Sequence, residues 1–319
     1  MDKKVSIIGT GNVGSALGQR IGQMGFADVV LLDIIDDMPQ GKAIDMMHSH
    51  PIVGSNSKIV GTNGYEETAN SDLVVMVARS KPLGAPGGPK VSGGRTRLLR
   101  ENMEMLKGIT EQVIKYSPDC IIIVVTNPVD AMAWAVRQFS GFSKNRIMGL
   151  SGMLDTARFR AMLAAELDVS AEDISACILG EHGGNMVPVT RLTRVGVVPV
   201  KELLSKEKLD EIVERAKNGA GEVVKMLKTA TPYYAPAMAI AEMAEAVILD
   251  KKRTLPVSAY LEGEYGVNGI FLGTPAVIGA GGVERVLEIK LTPEEDALMK
   301  ASAQAVQELV DALEELLKS

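Results

Sequence analysis

The sequence predicts an α/β protein, a doubly wound parallel sheet followed by an α+β domain. Three observations predict it. Short β-branched runs alternate with helical patterns through the first half of the chain. A glycine-rich turn, Gly9-Thr10-Gly11-Asn12-Val13-Gly14, joins the first of those runs to the first helical stretch. From Ser151 onward the alternation gives way to long helices mixed with paired strands. Alternation implies right-handed βαβ units and a parallel sheet covered on both faces. Helix mixed with antiparallel strand implies an α+β unit.

The first strand is Val5–Ile8, the first helix runs from Ser15 to Met24, and the second strand, Val29–Leu32, ends in Asp33. The turn needs glycine for a tight bend, for close approach of backbone to a pyrophosphate, and for close packing of helix on strand. Free N–H groups and the positive end of the new helix then hold phosphate. Asp33 lies roughly 20 residues beyond the last glycine, where a carboxylate accepts hydrogen bonds from the adenosine ribose and repels a 2′-phosphate. This is the Rossmann fingerprint, and it points to NAD rather than NADP. Gly9, Gly11, Asn12, Val13, Gly14 and Asp33 are the expected cofactor-binding set. A lone G-x-G-x-x-G is weak and can be a turn that binds nothing; strand, turn, helix, strand and acid in order make a specific signal.

Further strands are expected at Lys58–Gly61, Leu73–Val77, Ile121–Val125 and Arg146–Gly149, with helices at Gln40–His48 and Arg97–Tyr116. Ile121-Ile122-Ile123-Val124-Val125 suits a strand buried on both faces. Residues 1–150 form the dinucleotide-binding domain on this reading and residues 151–319 an α+β substrate domain. The second part is expected to hold a helix from Leu154 to Leu167, a strand from Ile174 to Leu179 and a strand pair, Val187–Leu192 with Val195–Val200. Helices Lys208–Leu227 and Ala235–Leu249, strands near Pro256–Tyr260 and Gly269–Ile278, and a closing helix Pro293–Lys318 follow. Between residues 79 and 95 glycine and proline dominate, which excludes regular structure. That segment follows the fourth strand, at the ligand-bearing edge of the sheet, where long loops often act as lids.

Composition excludes several classes. A net charge of −6 gives no reason to expect nucleic acid or an anionic membrane. Cys120 and Cys177 sit in apolar runs and read as buried thiols, too few for a disulfide framework or a metal cluster, so no metal is expected. Met1-Asp2-Lys3-Lys4 leads straight into the first strand, which leaves no room for a signal peptide and suggests a cytoplasmic protein. His48 and His50, before Pro51, read as structural residues of a helix-terminal loop.

The remaining histidine, His182, stands in Gly180-Glu181-His182-Gly183-Gly184-Asn185 after the apolar Ala176–Leu179. Upstream, Asp155 and Arg158 share one face of a helix. A helix from Leu154 to Leu167 is roughly 21 Å long at about 1.5 Å per residue. A strand from Ile174 to Leu179 is roughly 20 Å at about 3.3 Å per residue. If the strand runs back along the helix, His182 arrives beside Asp155 and Arg158. Imidazole suits removal of a hydroxyl proton while a hydride leaves the same carbon. Asp155 would fix its tautomer, Arg158 would fork onto a substrate carboxylate, and Arg95 at the far end of the Gly/Pro loop could polarise the carbonyl on closure. Taken singly, His182 can be a structural histidine at a strand end and Asp155 with Arg158 a surface helix pair.

At this point the chain resembles the NAD-dependent lactate/malate dehydrogenases, in particular the lactate-dehydrogenase-like malate dehydrogenases and the apicomplexan lactate dehydrogenases. The resemblance covers nearly the whole length. It rests on the glycine turn, Asp33, Met38-Pro39-Gln40-Gly41-Lys42-Ala43, Val125-Thr126-Asn127-Pro128-Val129-Asp130, Leu154-Asp155-Thr156-Ala157-Arg158-Phe159-Arg160, Gly180-Glu181-His182-Gly183 and Tyr233-Tyr234-Ala235-Pro236-Ala237. It implies His182 as acid/base, Asp155 as its partner, Arg158 as the carboxylate clamp and Arg95 as the mobile arginine. It also implies that Asn127 contacts nicotinamide and substrate, that Asn102 and Val125 contact the cofactor, and that the protein is a homodimer or homotetramer.

Three departures stand out. Val77-Ala78-Arg79 replaces a turn that usually ends in glycine, and Gly183-Gly184 replaces the usual Gly-Asp. The loop is longer than in ordinary malate dehydrogenases and lacks the tryptophan of the apicomplexan insertion. That loop normally selects the substrate. It offers Lys81 and Lys90 and no acid, which suits the second carboxylate of malate, with Lys81 nearest the selecting position. Pro232 is shared with some lactate-type relatives and favours lactate instead. Two other classes remain. A metal-assisted NAD-dependent glycosidase of the same fold needs Cys and His ligands beside the nicotinamide, and a non-catalytic NAD-binding module has no use for His182, Asp155, Arg158 and Arg95 together.

Overall fold

The computed structural model describes residues 1–80 and 94–318, with side chains from 98 onward in the second span. Strands and helices alternate up to residue 150: β1 (Lys4–Ile8), α1 (Asn12–Met24), β2 (Asp28–Leu32), α2 (Met38–Val53), β3 (Ile59–Thr62), β4 (Leu73–Met76), α3 (Gly94–Tyr116), β5 (Ile121–Val124), α4 (Val129–Ser140) and β6 (Ile147–Gly149). Beyond them come α5 (Gly152–Leu167), β7 (Ile174–Ser175), β8 (Ile178–Leu179), β9 (Val187–Pro188), β10 (Arg194–Val195) and β11 (Val198–Pro199). The chain closes with α6 (Val200–Leu203), α7 (Lys206–Lys217), α8 (Gly219–Leu227), α9 (Tyr234–Ile248), β12 (Arg253–Glu262), β13 (Asn268–Gly279), β14 (Gly282–Val286) and α10 (Pro293–Lys318).

Strands β3, β2, β1, β4, β5 and β6 lie side by side in that order, all parallel. This is the doubly wound Rossmann order, with its switch point between β1 and β4. Ile8 lies opposite Leu32 and Met76, Met76 opposite Val124, and Val124 opposite Gly149. The five strand ends are therefore level, and Gly9, Asp33, Val77 and Val125 all leave the sheet along one edge.

Side chains along these strands alternate between two cores, as a period of two requires. Val5, Ile7, Leu73, Val75, Ile121 and Ile123 face α1 and α9, meeting Leu17, Ile21 and Ile240. Ile8, Val74, Met76, Ile122 and Val124 face α3, α4 and α10, meeting Leu106, Met132 and Val306. Burial on both faces is why the strands read as unbroken apolar runs; each such side chain contributes about 1.5–3 kcal/mol.

The same sheet continues into the second half of the chain. β12 pairs antiparallel with β6 through Ser258 and Gly149, and β13 and β14 extend it to nine strands among the described residues. A smaller core of Phe159, Leu163, Ile174, Ile178, Leu209 and Ile212 joins α5 and α7 to the short strands. No helix among the described residues is long and apolar enough to cross a membrane.

Four expectations need correction. The strand expected at Ile174–Leu179 divides at Ala176-Cys177, because β7 pairs with β10 whereas β8 pairs with β9. The pair expected at Val187–Leu192 and Val195–Val200 is instead Arg194–Val195 with Val198–Pro199; after Val187–Pro188 the chain turns through a 3₁₀ helix at Thr190–Leu192. The helix Lys208–Leu227 breaks at Asn218, whose side chain turns back to donate to the Glu214 carbonyl at 3.0 Å. His48 and His50 lie inside α2, which runs past Pro51, and His50 is buried.

Candidate active site

The glycine turn crosses the sheet edge at the switch point. Gly9 has φ +100°, and a side chain there would meet the Ala78 backbone. A Cβ on Gly14 would lie 2.0 Å from the Gly9 carbonyl oxygen, so α1 can begin this close to β1 only without one. Gly11 precedes α1 with no side-chain cap and open space above it. The first N–H groups of α1, from Asn12 and Val13 onward, are thus left for an anion, and the turn fits a dinucleotide diphosphate.

Asp33 stands at the neighbouring strand end. Its Oδ2 accepts from the Thr10 N–H at 2.7 Å and the Thr10 hydroxyl at 3.2 Å, and its Oδ1 from the Ile35 N–H at 3.2 Å. These bonds fix the carboxylate beside the turn. Lys42, from the Met38–Ala43 motif, donates to the Thr10 carbonyl; burial lowers its pKa and the charge of Asp33 opposes that. Sequence reasoning gave Lys42 no role, and its place beside the turn depends on α2 folding back over β2.

Beyond the turn a cleft of about 310 Å³ is lined by Val13, Arg79, Asn102, Val125, Asn127, Arg158 and His182, among others. The structure brings His182, Asp155 and Arg158 together. Asp155 and Arg158 occupy the first turns of α5, and Arg158 Nη1 donates to Asp155 Oδ1 at 3.1 Å. His182 follows β8, which runs back along α5 despite its break because Thr156 Oγ1 accepts the Ile178 N–H at 3.0 Å. His182 Nδ1 faces Asp155 Oδ2 at 2.7 Å. A carboxylate can only accept, so Nδ1 carries the proton and Nε2 is left for the cleft.

All three side chains are screened from water, His182 16% exposed, Arg158 14% and Asp155 2%. Burial alone would lower the His182 pKa, but the charge and hydrogen bond of Asp155, with Asp130 behind it, outweigh burial and raise it. Burial lowers the pKa of Arg158, against the pull of Asp155. Among the described residues nothing accepts from Arg158 Nη2, which leaves that nitrogen for a ligand oxygen.

Asn102 is buried, donating to the Asn127 carbonyl at 2.8 Å and accepting from the Ser80 N–H at 3.1 Å. It therefore ties the β4 and β5 ends together as well as lining the cleft. Lys81 and Lys90 lie outside the described residues, as does the side chain of Arg95. A partner that the sequence did not reveal is Asp130, buried in the first turn of α4. It accepts the His182 backbone N–H at 3.1 Å and the Ser258 hydroxyl. The available signal was a lone carboxylate at the head of the apolar stretch Ala131–Val136.

Residues 3–149 match the lactate/malate dehydrogenase NAD binding domain, and residues 152–318 the lactate/malate dehydrogenase alpha/beta C-terminal domain. The chain is 48% identical over 316 residues to a malate dehydrogenase of Roseiflexus castenholzii, covering 99% of this chain and 100% of that one. A solved malate dehydrogenase from Salinibacter ruber superposes with a TM-score of 0.93 at 44% identity, covering 99% of each chain. The Cryptosporidium parvum lactate dehydrogenase complexed with lactic acid and nicotinamide adenine dinucleotide gives 0.92 at 41%, covering 98% of each. The chain thus belongs to the lactate/malate dehydrogenase family, as an NAD-binding oxidoreductase that acts on 2-hydroxy acids.

Proposed function

We propose that this protein interconverts malate and oxaloacetate, with His182 as the group that takes and returns the proton. The observation that carries the chemistry is the 2.7 Å contact between His182 and Asp155 in the cleft that Arg158 shares. Bound at the glycine turn and along the cleft, NAD supplies the acceptor for the hydride that leaves the substrate's C2. Arg158 holds the C1 carboxylate through a planar fork that an ammonium does not reproduce. His182 Nε2 takes the hydroxyl proton, and Asp155 stabilises the imidazolium that results. Arg95 fills the role of the polarising cation, and Asn127 that of a contact to nicotinamide and substrate, by likeness to the family.

The choice of malate is supported by the names of relatives 45–49% identical over nearly the whole chain, and by the Lys81 and Lys90 charges in an acid-free loop. Lactate is the second reading, favoured by Pro232 in the cleft lining. The test is kcat/KM with NADH, in buffer without added metal, for oxaloacetate against pyruvate. Oxaloacetate should be preferred, and replacing Lys81 and Lys90 together by neutral residues should narrow the gap roughly ten- to a hundredfold. A preference for pyruvate overturns the malate reading, and a requirement for metal overturns the whole mechanism.

The protein acts as a homo-oligomer on the same reading, supported by the exposed aliphatics Ile34, Ile35, Ile44, Ile52, Val53 and Val60 on and beside α2. Sedimentation velocity reads this directly, and a monomer at micromolar concentration overturns it.

A further inference from the structure

We infer that Arg79 is a side-chain clamp for the cofactor's diphosphate, added to the backbone cradle of the glycine turn. Its position follows from the register of β4. Met76 is level with Ile8, and the next two residues stay on β1, with the Val77 and Ala78 N–H groups both donating to the Ile8 carbonyl at 2.9 Å. The Ala78 backbone fills the space a Gly9 side chain would take, its nitrogen 2.6 Å from a Cβ built there. Arg79 is thus the first residue of this strand end free to leave the turn, and it lines the cleft together with Val13 of the first turn of α1.

The second observation is its lack of a partner. Of the two arginines that line the cleft, Arg158 pairs with Asp155, whereas Arg79 has no hydrogen bond and no ion pair among the described residues. Lys42, across the turn, is bound to the Thr10 carbonyl beside Asp33. A guanidinium that lines the cleft, exposed and unpaired among the described residues, is a cation suited to an anion from outside the protein. A diphosphate carries two charges, and the N–H groups of the turn and of α1 are neutral dipoles. A planar fork adds charge-assisted bonds that those dipoles do not supply. The substrate carboxylate already has Arg158, beside His182. With a net charge of −6 the protein has no general attraction for an anion, so a local cation carries weight.

The test is calorimetric titration of the wild-type protein, Arg79→Gln, Arg79→Gly and Arg79→Lys with NADH, ADP-ribose and adenosine at low ionic strength. In Arg79→Gln and Arg79→Gly the Kd for NADH and for ADP-ribose should rise together by about tenfold, with adenosine unchanged. Arg79→Lys should fall between, keeping the charge without the fork. Raising NaCl to about 0.5 M should shrink the difference, since the lost contact is ionic. Unchanged NADH and ADP-ribose affinity overturns the proposal, as does tighter binding in Arg79→Gly, which would mean that the arginine crowds the cofactor. Equal weakening toward adenosine overturns it too, because the effect would then lie in the fold of the turn.

Discussion

Asp130 Oδ2 accepts the backbone N–H of His182 at 3.1 Å, so two carboxylates hold this residue, Asp155 by its ring and Asp130 by its main chain. The second oxygen of Asp130 accepts a hydrogen bond from the hydroxyl of Ser258, on β12. The head of α4, the turn after β8 and β12 therefore meet at one buried side chain.

This arrangement separates positioning from charge. Asp130→Ala strands a half-buried N–H and a buried hydroxyl, at a cost of up to about 1–3 kcal/mol each, and should lower both Tm and kcat. Asp130→Asn can keep both bonds, accepting from His182 and donating to Ser258, and should retain most of the kcat. Burial pushes the Asp130 pKa up to about 6, although Ser258 and His182 favour its charged form. An acid whose folded pKa is raised contributes stability below its unfolded value of 3.8 and loses it as pH rises through about 6. The stability of Asp130→Asn relative to wild type should therefore rise between those limits in thermal melts. A constant difference across that range would contradict the account of Asp130.

Asp33 governs the adenosine end. Because Thr10 and Ile35 fix its carboxylate beside the turn, a 2′-phosphate would meet a charge that cannot swing away. NADH should exceed NADPH in kcat/KM, and Asp33→Ser should reduce that preference by roughly tenfold or more. Equal kcat/KM for both cofactors in the parent protein would reject this role.

Arg158→Lys should raise the KM for the 2-oxo acid strongly while leaving the Kd of NADH near its parent value. The ammonium keeps the charge but loses the two-bond fork, a change of about 1.5–3 kcal/mol, or roughly ten- to a hundredfold in kcat/KM. An unchanged KM would mean that another group holds the carboxylate.

The first half of the fold was legible because its local and tertiary signals agree. β1, the glycine turn, α1, β2 and Asp33 are contiguous in sequence, and strands buried on both faces announce themselves as apolar runs. The short strands after α5 were not legible. Ile174 to Leu179 is one β-branched and apolar stretch, and only its partners, β10 for one end and β9 for the other, divide it. His182 and Asp155 were legible as a pair, since helix and extended chain have matching lengths and the chain does run back along α5, held there by the Ile178–Thr156 bond despite its break. Asp130 was not, because its role arises where three distant segments meet.

The most direct test concerns His182 itself, followed through Asp155. In the reductive direction His182 must carry the proton it gives to the substrate oxygen. With its pKa raised above 6.5 by Asp155 against burial, the kcat/KM for the oxo acid should fall as pH rises through that higher value. In Asp155→Asn the fall should move to lower pH, with kcat reduced by roughly 10²- to 10⁴-fold. His182→Asn should abolish turnover at every pH while NADH still binds with near-parent affinity. A His182→Asn protein that keeps most of its kcat, or an Asp155→Asn profile that does not move, would contradict the account.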